Sequence, residues 1–156
     1  MNLMDDFSNL EAVSISFLRN KVMFTAFETE ITIRPDDIDY NNHVHSTKYL
    51  DYVLAARFVQ MRENYKMSMD EFVELGYNWF VSTIHIDYKR ALVLEDKITV
   101  RTQIESVSGA QVKVLFRIVK QTTKKISAEG YFFYTMVDKS GKPVRIPQEI
   151  IERYSI

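Results

Sequence analysis

Alternating apolar and polar residues predict the first strand of this chain. In "FETEITIR", residues 27–34, every second residue from Phe27 to Ile33 is apolar or Thr, and charged or polar residues lie between them. A period of two is typical of a strand that is buried on one face. Pro35 follows, and proline has no N–H to extend a strand ladder. The pattern therefore predicts a strand over residues 27–34.

A helical pattern follows this strand. Residues 48–66, "KYLDYVLAARFVQMRENYK", carry apolar residues at helical spacings and contain neither Gly nor Pro, which predicts a long helix. The apolar positions are too many for a narrow stripe, so we expect the helix to be covered on most sides. Ser46 or Thr47 suits its N-cap, although no Glu or Gln completes a capping box. A second, short helix is predicted over residues 68–75, ending at Gly76.

The pattern of the second half of the chain predicts strands. Four stretches alternate or are rich in β-branched and aromatic residues: "WFVSTIHIDY", "EDKITVRTQIESV", "AQVKVLFRIVKQ" and "ISAEGYFFYTMVD". Short turns between them favour hairpins, and "IPQEIIERY" predicts a final short helix. Residues 1–25 give no clear pattern. The expected fold is α+β, a single domain over residues 1–156 in which an antiparallel sheet of five to six strands wraps around the long helix.

Composition and charge narrow the class of protein. A length of 156 residues suits one domain, and a formal net charge of -1 provides no global field to attract nucleic acid or an acidic membrane. The chain has no cysteine, which excludes disulfides and thiolate sites and permits a reducing compartment. The N-terminus "MNLMDDFSNL" has acids where a signal peptide has basic residues, and no apolar run suits a membrane span. We expect a soluble cytoplasmic protein.

The candidate chemistry lies between the first strand and the long helix. "DIDYNNHVHSTKYLDY", residues 37–52, concentrates acids, asparagines and two histidines at this junction. Free N–H groups and the helix dipole favour negative charge there. Acids and Asn also serve as plain helix caps, but one or two residues suffice for capping. The concentration of such side chains favours a functional site.

This junction, the later run "IHIDYKRALVLEDKITVRTQI" and the order of elements resemble the hotdog-fold acyl-CoA thioesterases over roughly residues 27–150. The most similar groups are the hydroxybenzoyl-CoA thioesterase type and the hotdog unit of plant acyl-ACP thioesterases. Members typically show Asp-x-Asp, then His-Val-Asn-Asn, then Tyr at this spacing. The resemblance implies that Asp39 is the catalytic carboxylate and, from the plant enzymes, that Asn41 and His43 belong to the site. It also implies a substrate-binding role for Tyr49.

The chain departs from the family pattern at several positions. Asn42 stands where a Gly is usual, His45 and Ser46 replace the usual Asn-Asn, and Ala91 stands where some plant enzymes carry an acid. These changes leave Asp39, Asn41 and His43 intact, but together they count against a complete plant-type catalytic set and so against the acyl-ACP alternative.

Thioester hydrolysis needs an attacking oxygen and donors for the developing oxyanion. Asp39 can attack the carbonyl directly or take a proton from water, and backbone N–H groups near residues 46–49 can stabilise the oxyanion. Lys89 and Arg90 are the expected contacts for the phosphates of CoA, with a solvated strand end as the competing interpretation. The aromatic clusters at residues 77–80 and 131–134 line an acyl pocket or, more often for such residues, form core or subunit interface.

Several alternatives remain open. A hotdog hydratase or dehydratase is one, although the chain lacks a "His-x-x-Gly-x-Pro" stretch, and a non-catalytic acyl-thioester-binding module is another. His43 and His45, with nearby acids and His85, suggest a metal site, but no third ligand has a recognisable spacing, so neither metal nor cofactor is expected. Exposed sheet edges, and the way hotdog proteins join sheets, predict a homodimer or a tetramer of dimers with no nucleic-acid or membrane partner.

Overall fold

The computed structural model describes residues 24–156, so most of the uncertain lead-in at residues 1–25 lies outside it. Five strands form one antiparallel sheet in the order β1-β3-β4-β5-β2, with β1 and β2 at its edges. The strands are β1 (Phe27–Thr32), β2 (Tyr77–Tyr88), β3 (Lys97–Ser108), β4 (Gln111–Lys120) and β5 (Ile126–Asp138). The helices are α1 (Lys48–Glu63), α2 (Met69–Glu74) and α3 (Gln148–Tyr154). The predicted order of elements is confirmed.

Helix α1 packs against one face of the sheet. A cluster of buried residues joins the two, and it comprises Tyr49, Tyr52, Val53 and Ala56 from the helix and Ile98, Val100, Phe116, Ile118, Ala128 and Phe132 from the strands. The expected cover on most sides is incomplete within residues 24–156, because Phe58 of α1 is 54% exposed. This apolar surface lies on the central helix itself.

The predicted boundaries shift by a few residues where loops take over. Strand β1 ends at Thr32, because residues 35–37 turn into a short 3-10 helix. Thr47 occupies the N-cap position of α1 but makes no capping bond with its side chain, since its backbone is already helical. Helix α2 behaves as predicted: the Ser68 hydroxyl accepts a hydrogen bond from the Glu71 N–H, and Gly76 follows with a φ of +86°.

A buried carboxylate ties the 3-10 helix to α1. Asp37 is 2% exposed, and its Oδ2 accepts hydrogen bonds from the Tyr52 hydroxyl at 2.7 Å and the Arg34 N–H at 2.9 Å. The Lys48 ammonium lies 3.8 Å from its Oδ1. Burial on its own raises the pKa of Asp37, but the two hydrogen bonds and the charges of Arg34 and Lys48 outweigh it, so the pKa lies below its ordinary value. The carboxylate is therefore ionised and bound on several sides.

Replacing this carboxylate should destabilise the fold in a pH-dependent way. We expect Asp37→Asn to lower the free energy of unfolding at neutral pH by about 1.5–3 kcal/mol, the range for hydrogen bonds to a charged group. Because the pKa of Asp37 is lowered in the folded state, its contribution is complete above the unfolded-state pKa and is lost as the pH falls through the folded-state pKa. Urea titrations of wild type and variant should therefore converge in acid.

The matched control is Asp36→Asn, because Asp36 is the exposed neighbour and, among the residues that the structure describes, pairs only with Arg34 at 3.5 Å. It should change the unfolding free energy by less than about 0.5 kcal/mol. A gap between Asp37→Asn and wild type that stays constant down to acid pH would contradict the role given to this carboxylate.

Candidate active site

The segment from residue 37 to residue 45 forms a closed loop between β1 and α1. The His45 N–H donates to the Asp37 carbonyl at 2.8 Å, and Ile38 and Val44 form an isolated antiparallel bridge. The Val44 N–H also donates to the carbonyl of Leu92 at 2.8 Å, which joins the loop to the segment after β2. The loop is thus held at its base and along one side, and its tip is left to solvent.

Asp39 organises the tip of this loop. Its Oδ1 accepts hydrogen bonds from the N–H groups of Asn41 at 2.8 Å and His43 at 3.4 Å, and its own N–H donates to the His43 carbonyl at 2.8 Å. Asn42 sits at a φ of +61°, a left-handed conformation that Asn adopts more readily than most other residues. This conformation explains how Asn replaces the usual Gly of the family pattern.

One oxygen of Asp39 is left available. Within residues 24–156 no hydrogen bond reaches its Oδ2, whereas Oδ1 has two donors. The Asp39 side chain is half-buried, and the side chains of Asn41 and His43 are exposed. The three residues predicted to be catalytic are therefore brought together in one turn, accessible from solvent, and the catalytic role of each stays a prediction.

The start of α1 offers fewer free amides than expected. The Lys48 N–H donates to the His45 carbonyl at 2.9 Å, and the Thr47 N–H makes a long 3.3 Å bond to Nδ1 of His45. The same Nδ1 lies 2.9 Å from the Thr47 hydroxyl. The amides of Thr47 and Lys48 therefore already have acceptors inside the protein, and the hydrogen bond of Thr47 is the weaker one.

Tyr49 lies beneath the site. Its ring is buried, and this burial raises its pKa even though its hydroxyl accepts a hydrogen bond from the Leu92 N–H at 3.0 Å, which acts in the opposite direction. The ring of Tyr88 meets it edge-on at 5.1 Å, and the Tyr88 hydroxyl donates to the Ser46 carbonyl at 2.8 Å. The two tyrosines join the end of β2 to the start of α1. The structure thus gives Tyr49 a supporting role, and the substrate contact expected from the resemblance stays a prediction.

Lys89 and Arg90 follow β2 and are exposed. The Lys89 ammonium lies 3.1 Å from Glu129, which Arg117 also contacts at 3.1 Å. The hydrogen bond and charge of Lys89, followed by those of Arg117, lower the pKa of Glu129 despite the opposing effect of burial. The Arg90 guanidinium donates to the Ile126 carbonyl at 2.9 Å. Both cations are close in sequence to Tyr88 at the edge of the site, and each retains further donors.

A cavity of about 250 Å³ lies between α1, α3 and the sheet. Its walls are mainly apolar, and they include Leu54, Phe58, Met61, Trp79, Ile150 and Tyr154. Arg57 and Tyr134 also line it. The sequence contains one signal for a polar group in this cavity: Arg57 lies one helical turn after Val53, on the face of α1 that faces the sheet. Of the predicted aromatic clusters, Trp79 and Tyr134 line the cavity and Phe132 belongs to the core.

The histidines do not converge. His45 contacts Thr47, whereas His85 lies on β2 with its Nε2 3.2 Å from Asp87. Among residues 24–156 no three side chains from His, Asp or Glu are gathered in a way that would hold a metal ion. In the same part of the chain, no helix has the length and apolar character needed to cross a bilayer.

Comparison with solved structures agrees with this architecture. A crystal structure of DHNA-CoA thioesterase from Staphylococcus aureus matches with a TM-score of 0.76 at 19% identity, over 83% of this chain and 89% of the other. A thioesterase from Thermus thermophilus, solved with coenzyme A and Zn, matches with a TM-score of 0.70 at 21% identity, over 84% and 92%. At these identities the similarity shows the fold, and the expected hotdog architecture is confirmed.

Comparison of sequences identifies the family. Among curated proteins, the long-chain acyl-CoA thioesterase FadM of Escherichia coli is 23% identical over 127 residues, 81% of this chain and 95% of FadM. The acyl-CoA thioesterase YbgC of Haemophilus influenzae is 26% identical over 124 residues, 80% and 90% of the two chains. A sequence model of the Thioesterase-like superfamily matches residues 33–154, from the end of β1 to the end of α3. The chain belongs to the thioesterase-like superfamily.

Proposed function

We propose that this protein hydrolyses acyl-CoA thioesters to free acid and CoA, with Asp39 as the reacting carboxylate. The observation that carries the proposal is the asymmetry of that carboxylate: two backbone amides hold Oδ1, and Oδ2 has no partner within residues 24–156. An oxygen that is fixed in place yet not engaged is suited to act on a substrate. Membership of the thioesterase-like superfamily and the activities named for FadM and YbgC support the same reaction.

Two routes begin at Oδ2 of Asp39. In the first, Oδ2 takes a proton from water while the water oxygen attacks the thioester carbonyl, and the tetrahedral intermediate collapses to release the CoA thiolate and the acid. In the second, Oδ2 attacks the carbonyl itself, CoA leaves as the thiolate, and water hydrolyses the resulting mixed anhydride. The exposed side chains of Asn41 and His43 stand in the same turn, where they can orient the water.

The oxyanion would form at the start of α1. The amide of Thr47 makes a long 3.3 Å bond to His45 Nδ1, which a carbonyl oxygen can replace as an acceptor. The amides of the following residues in the first turn, and the helix dipole, add positive potential at the same place. Donors fixed in this way stabilise a developing negative charge without further reorganisation.

Replacement of Asp39 by Asn tests the proposal. The change preserves the shape of the side chain and removes both the nucleophile and the base, so we expect kcat to fall by roughly 10²–10⁴ for an acyl-CoA that the wild type hydrolyses. Binding of the same acyl-CoA should persist, because the carboxylate acts on the transition state. Release of free thiol measures the rate, and calorimetry measures the binding.

Asp36→Asn is the matched control, because Asp36 is an exposed acid of the same segment that lies outside the Asp39 turn. It should keep the wild-type rate. Wild-type turnover by a folded Asp39→Asn protein would refute the mechanism, and a wild type that binds acyl-CoA thioesters without releasing thiol would make the protein a binding module.

We also propose that Lys89 and Arg90 contact the phosphates of CoA. Both are exposed and follow Tyr88, whose hydroxyl reaches the start of α1. Replacing both with Ala should raise KM several-fold with little change in kcat. Added salt should also raise the KM of the wild type, because it screens the same charges. Arg117→Ala is the control, because it removes a cation from Glu129 but leaves Lys89 and Arg90 in place. An unchanged KM in the double variant would assign the pair to the solvated surface.

We further propose that the protein is a homodimer, or a tetramer of dimers, in which the β2 edges of two copies pair. Edge strands expose unpaired N–H and carbonyl groups, and β2 carries the exposed apolar residues Phe80, 63% exposed, and Ile84, 42% exposed. The exposed Phe58 of α1 adds to the apolar surface that such a partner would cover.

We also propose that the protein is cytoplasmic, as expected from the sequence.

Sedimentation at micromolar concentration tests the assembly. The wild type should sediment as a dimer or tetramer, and Ile84→Lys should shift it toward monomer, because a charge would then be buried in the contact. Thr32→Lys places the same charge on the opposite edge strand, β1, and should leave the assembly intact. A wild-type monomer at this concentration would count decisively against the proposal.

A further inference from the structure

The cavity beside α1 contains a buried positive charge without a counterion among residues 24–156. Arg57 is 8% exposed, and its Nη1 makes one long hydrogen bond, 3.4 Å, to the Thr102 hydroxyl. Its guanidinium lies 5.5 Å from the ring centre of Tyr65. None of the ion pairs in this part of the chain includes it. A guanidinium has five donors, and a buried charge is costly unless it is paired, so Arg57 lacks an acceptor.

A second donor belongs to Tyr134, which also lines this cavity. The hydroxyl of Tyr134 is buried and has no hydrogen-bond partner within the described range. Burial raises the pKa of Tyr134 to about 12, although the charge of Arg57 opposes this rise. At neutral pH the phenol therefore keeps its proton. A guanidinium and a phenol, both donors, are complementary to an anion that accepts from both.

The rest of the cavity suits an aliphatic chain. Apart from these two residues, the walls consist mainly of aliphatic and aromatic side chains, and Leu54 lies one turn before Arg57 on α1. From Lys48, at the start of α1, to Arg57 the helix advances roughly 14 Å at 1.5 Å per residue. An acyl chain that begins at Asp39 and runs along α1 would bring its far end to the two donors.

We propose that the acyl group of the substrate ends in a carboxylate, which binds between the Arg57 guanidinium and the Tyr134 hydroxyl. The substrate class is then the CoA mono-thioester of an aliphatic dicarboxylic acid. This inference rests on the proposed thioesterase function. A plain alkyl chain in the same position would leave both donors buried and unpaired, which is the costly arrangement.

Paired substrates test the assignment. We would compare kcat/KM for dioyl-CoA thioesters, from octanedioyl to hexadecanedioyl, with that for the alkanoyl-CoA of equal chain length. The wild type should prefer the dioyl member of at least one pair. Arg57→Met should lower this preference by roughly 10- to 100-fold, the range of a hydrogen bond to a charged group. Tyr134→Phe should lower it in the same direction by a smaller factor.

A binding measurement separates this inference from the proposed reaction. Trp79 is the single tryptophan of the chain and lines the cavity, so its fluorescence reports occupancy without hydrolysis. Monomethyl decanedioate, which carries one carboxylate, should change the emission of the wild type, and methyl decanoate at equal concentration should not. Arg57→Met should abolish the response. If no acyl-CoA is hydrolysed but this response is observed, the carboxylate site stands and the proposed reaction fails.

Two results would overturn the inference. The first is an equal kcat/KM for dioyl and alkanoyl thioesters at every chain length. If free decanoate nevertheless binds through Arg57, the cavity binds the released fatty acid and not a substrate carboxylate. The second is a loss of folding stability in Arg57→Met with unchanged discrimination, since Arg57 would then pair with an acid elsewhere in the assembly. Removing an unpaired buried charge should leave stability equal or higher.

Discussion

The buried carboxylate of Asp37 is the interaction on which the architecture of the site depends. Its Oδ2 accepts from the Tyr52 hydroxyl on α1 and from the Arg34 N–H beyond β1, and its carbonyl accepts from the His45 N–H. One residue thus joins the end of the first strand, the base of the loop and the central helix. A buried charge is stable only when several donors surround it, so this position specifies the conformation of all three segments together.

The two aspartates of the Asp-x-Asp pattern differ in burial and in hydrogen bonding. Asp37 points inward and is fully engaged, whereas Asp39, two residues later, is half-buried and engages one of its two oxygens. The rigid base created by the first allows the second to be held without using its whole hydrogen-bonding capacity. In the proposed mechanism, backbone amides would hold the Asp39 carboxylate in place, and its second oxygen would react with the substrate.

The sequence was sufficient for the elements whose patterns are local. The period of two in β1 and the long Gly- and Pro-free stretch of α1 predicted both elements, and Gly76 marked the end of α2. Boundaries shifted by a few residues at the end of β1, where the 3-10 helix at residues 35–37 follows, and at the end of α1, which stops at Glu63. The family pattern also directed attention to the turn around Asp39, which the structure shows to be one hydrogen-bonded unit.

Contacts between residues that lie far apart in the chain could not be predicted from the sequence. Tyr49 occupies an apolar helix position, yet its hydroxyl partner, Leu92, is 43 residues away. The contact between Lys89 and Glu129 follows from the register of β2 against β5, in which Asp87 faces Glu129. The sequence does not distinguish Arg57 from an ordinary helix charge, because its enclosure depends on the packed sheet and α3. In each case the missing information is the position of the partner across the fold.

The central claim is that the loop held by Asp37 presents Asp39 to a thioester carbonyl at the start of α1. A crystal structure of the Asp39→Asn variant with an intact acyl-CoA bound tests it most directly. We expect the thioester carbonyl oxygen to accept from amides in the first turn of α1, with the carbonyl carbon beside the residue 39 side chain. A thioester seated elsewhere, with the loop unchanged, would contradict the claim.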